Sequence, residues 1–108
     1  MRENQHTEFK ESWHDEYTRY ISAFCNTEGG VLYIGIDDKG EVVGIEQPKK
    51  LIEKLPNFIA QKTGIMPLIH LREKAGKEYL EIEVQPSAMP ISVHGRYYTC
   101  LLYTSDAA

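Results

Sequence analysis

Residues 31–36 read Val-Leu-Tyr-Ile-Gly-Ile. The run is almost entirely apolar and rich in β-branched side chains, the pattern of a central strand covered on both faces. The pair Gly29-Gly30 precedes it, and the turn residues Asp37-Asp38-Lys39-Gly40 follow. Such a strand is stable only with paired neighbours and a packed layer over it. A chain of 108 residues has room for one core of that kind.

The flanking segments supply the neighbours. Residues 7–11 alternate as a short strand, with Glu8 and Lys10 on one side and Thr7, Phe9 and Glu11 on the other. Trp13, Tyr17, Tyr20, Ile21 and Phe24 recur at helical spacing, which predicts an amphipathic helix over 14–26 that ends at the glycine pair. After the Asp37-Asp38 turn, residues 41–45 read as the return arm of a hairpin. Leu51, Ile52, Leu55, Ile59 and Ala60 predict a helix over 48–63, interrupted at Pro56. Residues 68–74 and 77–84 form a hairpin about Ala75-Gly76, and 91–93 turns through His94-Gly95 into Tyr97-Tyr98. The fold class is α+β. Its mixed, mostly antiparallel sheet comprises two hairpins and an N-terminal strand, with two or three helices packed on it.

Composition removes several function classes. An apolar share of 42% is too high for a disordered segment, and no apolar run approaches the roughly 20 residues of a membrane span. Twelve basic against sixteen acidic residues, net -4, exclude a strongly basic nucleic-acid coat protein but leave room for a local basic patch. The polar start has no signal-peptide core, and Cys25 and Cys100 make no disulfide framework, so a cytoplasmic location is expected. Residues 100–108, CLLYTSDAA, look like a translated sequencing adapter. The expectation is a C-terminally truncated domain over 1–99 followed by a non-native tail, with downstream domains of the parent protein missing.

Chemistry-bearing residues are few. Gly29-Gly30 follows a helix C-terminus, where the dipole repels phosphate, so the pair reads as a cap and not a phosphate loop. His6, His14, His70 and His94 are scattered, with no zinc-ligand spacing, and read as surface imidazoles. Cys25 reads as buried filler. Glu8 and Lys10 share a strand face, Glu3 lies five residues earlier, and Asp37 and Asp38 end the central strand. If these carboxylates converge they would hold Mg²⁺ or Mn²⁺ and support phosphodiester hydrolysis, with Lys10 assisting. The simpler alternative is a surface ion pair and a plain turn. Lys10, Arg19, Lys49, Lys50, Lys54 and Arg96 are candidate phosphate contacts, with tyrosines available for stacking.

The ordered segments TEFKES (7–12), ISAFCNTEGGVLYIGIDDKGEVVGI (21–45) and PSAMPISVHGRYY (86–98) resemble the Schlafen-type, AlbA-like DNA-binding domain. That resemblance implies an α+β module that binds DNA or RNA at the N-terminus of bacterial transcriptional regulators or helicase-related proteins. Animal relatives cleave RNA with a metal-dependent Glu, Glu, Asp site, onto which Glu8, Glu3 and either Asp37 or Asp38 map. Two departures stand out: those nucleases clamp RNA between two such lobes, and the basic segment that usually follows the tyrosine pair is replaced by the tail. Three readings follow: a nucleic-acid-binding module, a metal-dependent ribonuclease, and a protein-interaction or homo-oligomerisation module.

Overall fold

The computed structural model describes residues 3–86, together with the backbone of three short strands beyond them. Four strands form the main sheet: β1 (Thr7–Lys10), β2 (Gly30–Ile34), β3 (Leu68–Lys74) and β4 (Lys77–Val84), in spatial order β1-β2-β4-β3. The apolar run thus takes an interior place. β1 pairs with it in parallel and β4 antiparallel. A parallel neighbour requires a crossover. A single 3-10 turn (Asp15–Tyr17) and helix α1 (Thr18–Cys25) provide it, where the spacing predicted one helix over 14–26.

α1 and α2 (Pro48–Thr63) cover one face of the sheet. Leu32, Ile34, Leu80, Ile82 and Val84 meet Ile21, Phe24, Leu55 and Ile59 there, all of them buried. The other face carries no helix among the described residues, and Val31, Tyr33, Tyr79, Glu81 and Glu83 are half-buried on it. The expected cover of β2 is therefore complete on the helix side and, among the described residues, partial on the other, where Phe9 beside Tyr33 is buried. Three backbone strands, β5 (Ser92–Val93), β6 (Arg96–Thr99) and β7 (Leu102–Thr104), make a second sheet. The backbone of β5 and β6 lies against α1. α1 buries Thr18 and Ser22 as well as its apolar stripe.

Two local expectations change. Residues 41–45 do not form a return strand: one bridge, Ile36 to Val42, is all that pairs. Gly35, at φ +106°, accepts the N–H groups of Val43 and Gly44 and bends the chain off the ladder, and Ile45 N–H goes to the Glu78 carbonyl instead. Helix α2 also runs unbroken through Pro56. Proline there forfeits one backbone hydrogen bond. Burial of Leu55, Ile59 and Thr63 along one stripe holds the helix together across it. By contrast, the hairpin of β3 and β4 matches the expected bounds at both strands, with Lys74 opposite Lys77 at the turn.

Candidate functional site

β1 carries an alternating pattern whose helix-facing positions are Glu8 and Lys10, in register with the core residues Leu32 and Ile34. A carboxylate is thus placed where the neighbouring strand puts apolar side chains. Glu8 is 5% exposed. Burial first, then hydrogen bonding and repulsion from Glu3, push its carboxyl up to about 7, against the opposing pull of Lys10. Lys10 Nζ lies 3.4 Å from Glu8 Oε2. Burial disfavours that ammonium, but the Tyr20 hydroxyl, Glu8 and Tyr17 outweigh the penalty and hold Lys10 above the ordinary lysine range. Glu3 is fixed from below by accepting the Phe9 N–H at 3.1 Å.

The ammonium also begins an aromatic row that runs from the buried Tyr20 to half-buried rings. It lies 5.1 Å from the Tyr20 ring centre and 5.3 Å from that of Tyr17. The Arg19 guanidinium sits over Tyr20 at 5.1 Å and donates to its hydroxyl at 3.3 Å. Edge-to-face contacts run from Tyr20 to Tyr17 (5.6 Å), Tyr17 to Trp13 (6.0 Å) and Trp13 to Phe58 of α2 (6.4 Å). Lys54 and Lys62 approach the Phe58 ring at 5.2 and 5.8 Å. Four rings, from the loop before the 3-10 turn, the turn itself, α1 and α2, therefore form one ridge with four cations along it. Beside it a cleft of about 510 Å³ is lined by Trp13, Ile45, Leu51, Lys50 and Lys54, with Glu11 and Glu46 at its margin. Asp15 holds Lys54 at 3.1 Å and accepts the Trp13 indole N–H at 2.8 Å; the indole first, then Lys54, keep that carboxyl below its usual range.

Of the residues singled out in the sequence, Glu3, Glu8 and Lys10 come together. Asp37 and Asp38 leave β2 at the same end at which Lys10 leaves β1, since Gly35 and Ile36 both donate to the Lys10 carbonyl. The Asp37 side chain is engaged elsewhere. Asp37 Oδ1 accepts the N–H groups of Lys39 and Glu41, which makes it the anchor of its own turn. Among the described residues no metal-sized group contains Glu3, Glu8 and either aspartate. Lys49 and Lys50 are exposed at the start of α2, while the side chain of Arg96, the tyrosine pair and the tail lie outside the described residues. Sequence reading missed Phe58 and Lys62. Their signal was the spacing of four from Lys54 along one helix stripe.

The Schlafen, AlbA_2 family matches residues 3–100. Among solved structures, the chain is similar to the DIP2311 protein of Corynebacterium diphtheriae, with a TM-score of 0.72 and 23% identity. That similarity covers 88% of this chain and 21% of the other, so the chain spans about a fifth of that protein. It is also similar to the N-terminal domain of a helicase RecG-related protein from Nitrosomonas europaea, with a TM-score of 0.64 and 24% identity over 82% of this chain and 69% of that one. At such identities the likeness is one of fold. The family match is broader: it takes in both helices, all four strands of the main sheet and the Glu8–Lys10 cluster between them, and by it the chain belongs to the Schlafen AlbA_2 family.

Proposed function

We propose that this domain binds nucleic acid, as a module of a larger cytoplasmic regulator or helicase-related protein. The half-buried ridge of Tyr17, Trp13 and Phe58, seated on the buried Tyr20 and flanked by Lys10, Arg19, Lys54 and Lys62, carries this reading. Rings offer stacking faces to unpaired bases, and cations at ring distance neutralise the phosphates that accompany them. The net charge of -4 does not oppose it. Charges beyond about 8 Å are screened at physiological salt, so the local patch decides. The pair of Lys54 with Asp15 is half-exposed on both sides. Such pairs contribute about 1 kcal/mol at most, so a phosphate can displace the aspartate. Family membership and the likeness to a domain of a DNA-helicase-related protein support the same reading.

The test is fluorescence anisotropy of a labelled single-stranded oligonucleotide across a salt series, with duplex DNA and RNA as competitors. Affinity should fall steeply with salt, and Arg19→Ala with Lys62→Ala should lower the logarithmic slope by roughly 0.7 per lost contact. Absence of binding at low salt ends the proposal. Self-association without any nucleic-acid binding would favour the interaction-module reading.

A second reading, RNA cleavage, draws on Glu8. A carboxyl held near 7 beside a second carboxylate suits proton transfer at neutral pH. The donor set fits a Mg²⁺ or Mn²⁺ cage poorly. It offers two carboxylates, one already engaged by an ammonium, where a hard cation takes about six oxygens. No step is therefore assigned to a metal. Cleavage supported by Mg²⁺ or Mn²⁺ that survives Glu8→Gln would remove Glu8 from any such chemistry.

A further inference from the structure

On the sheet face turned away from the helices, the geometry points to a second site: we infer that His70, Glu81 and Glu83 bind a divalent transition metal, with Zn²⁺ as the preferred ion. The ladder places them. His70 of β3 stands directly opposite Glu81 of β4, and Glu83 lies two residues further along β4, on the same face. One ligand atom from each of the three falls within 4.8 Å of the other two, and among the described residues this is the group of three that does so. His70 Nε2 is 3.6 Å from Glu83 Oε2. With metal–ligand bonds of about 2.1 Å, the edge of a tetrahedral site is about 3.4 Å. One edge is therefore already at the required length, and side-chain rotation on a hydrogen-bonded hairpin supplies the remainder.

The surroundings suit a bound cation. Arg72 donates to Glu81 Oε1 at 3.2 Å and so fixes that carboxylate on the sheet face. Partners of this kind fix a ligand's orientation. Two glutamates side by side on one strand repel, and Arg72 offsets one of them; a divalent ion balances the other. One imidazole nitrogen with two carboxylates matches borderline ions better than Mg²⁺ or Ca²⁺, which take oxygen shells. His70 and Glu83 are each about 40% exposed, so the fourth position opens to solvent. The competing account is two ordinary ion pairs, His70 with Glu83 and Arg72 with Glu81.

The experiment is calorimetric titration of the untagged, metal-free chain with Zn²⁺, paralleled by visible absorption with Co²⁺. Expected are one-to-one binding, a Co²⁺ d–d band in the tetrahedral intensity range, and a rise in Tm at saturating Zn²⁺. His70→Gln and Glu83→Gln should each weaken Zn²⁺ at least tenfold while leaving the circular dichroism spectrum unchanged. Arg72→Ala should weaken it less than either. Binding weaker than about 1 mM, which corresponds to roughly -4 kcal/mol, would leave the ion-pair account standing and overturn the inference. Tight binding that survives His70→Gln would place the ion elsewhere and overturn it equally.

Discussion

Glu8 shows what a single buried carboxyl does to a small domain. Its folded value of about 7 lies above the ordinary 4.5, so the folded state holds a proton that the unfolded chain has released. Stability contributed by the neutral form is complete below about 4.5, declines as pH rises from there to about 7, and is level above. Thermal unfolding at pH 5 and pH 8 should therefore show a lower Tm at the higher pH. Glu8→Gln, which keeps the neutral form at every pH, should narrow that gap. An unchanged gap would mean that the carboxyl titrates normally. The alternation of residues 7–10 placed Glu8 and Lys10 on one face without coordinates. That this face is the one turned to the helices was not legible, because both strand faces can look alike when only four residues are involved.

At the level of elements, turn chemistry is the most exposed to test. The hairpin turn sets Ala75 at φ +53° and Gly76 at φ +78°. A two-residue turn with both residues left-handed is met best by Asn-Gly, and alanine there costs about 1 kcal/mol. Ala75→Asn should raise stability by roughly 0.5–1 kcal/mol in urea unfolding. Gly30→Ala should do the opposite. A Cβ on Gly30 would fall 2.5 Å from Phe24 Cδ1 and 2.8 Å from the His6 carbonyl, so β2 or α1 must shift. Overpacking of this kind costs about 1–3 kcal/mol. Pro56→Ala should stabilise α2 by restoring the bond to the Ile52 carbonyl, read as a higher urea midpoint. The hairpin was legible because its period-two pattern and its Ala-Gly turn agree. The lost return arm was not, because EVVGI has strand propensity that Gly35 and the contact of Ile45 with Glu78 override.

The molecule presents two chemically separate faces. The aromatic ridge and the Glu8–Lys10 cluster belong to the helix side, while His70, Glu81 and Glu83 belong to the bare side of the same sheet. Sites on opposite faces with no shared partner act independently to within a few tenths of a kcal/mol. His70→Gln should leave oligonucleotide affinity unchanged within about twofold, and Arg19→Ala should leave Zn²⁺ affinity unchanged, both by titration. Coupling between them would mean that the sheet transmits strain from one face to the other.

The chain by itself determined whatever depends on neighbours along the backbone: the interior strand, the hairpin register, and the ordered motifs that mark the family. Those features arise from periodicity and turn chemistry within about ten residues. Tertiary structure decided what depends on distance through space. It joined Phe58 and Lys62 to tyrosines some forty residues earlier, kept Asp37 in its own turn, and gathered three ligating side chains that no linear spacing reveals. Cross-strand pairs leave no periodic trace in a sequence, because the register that brings them together is set by the burial of other residues on the opposite face.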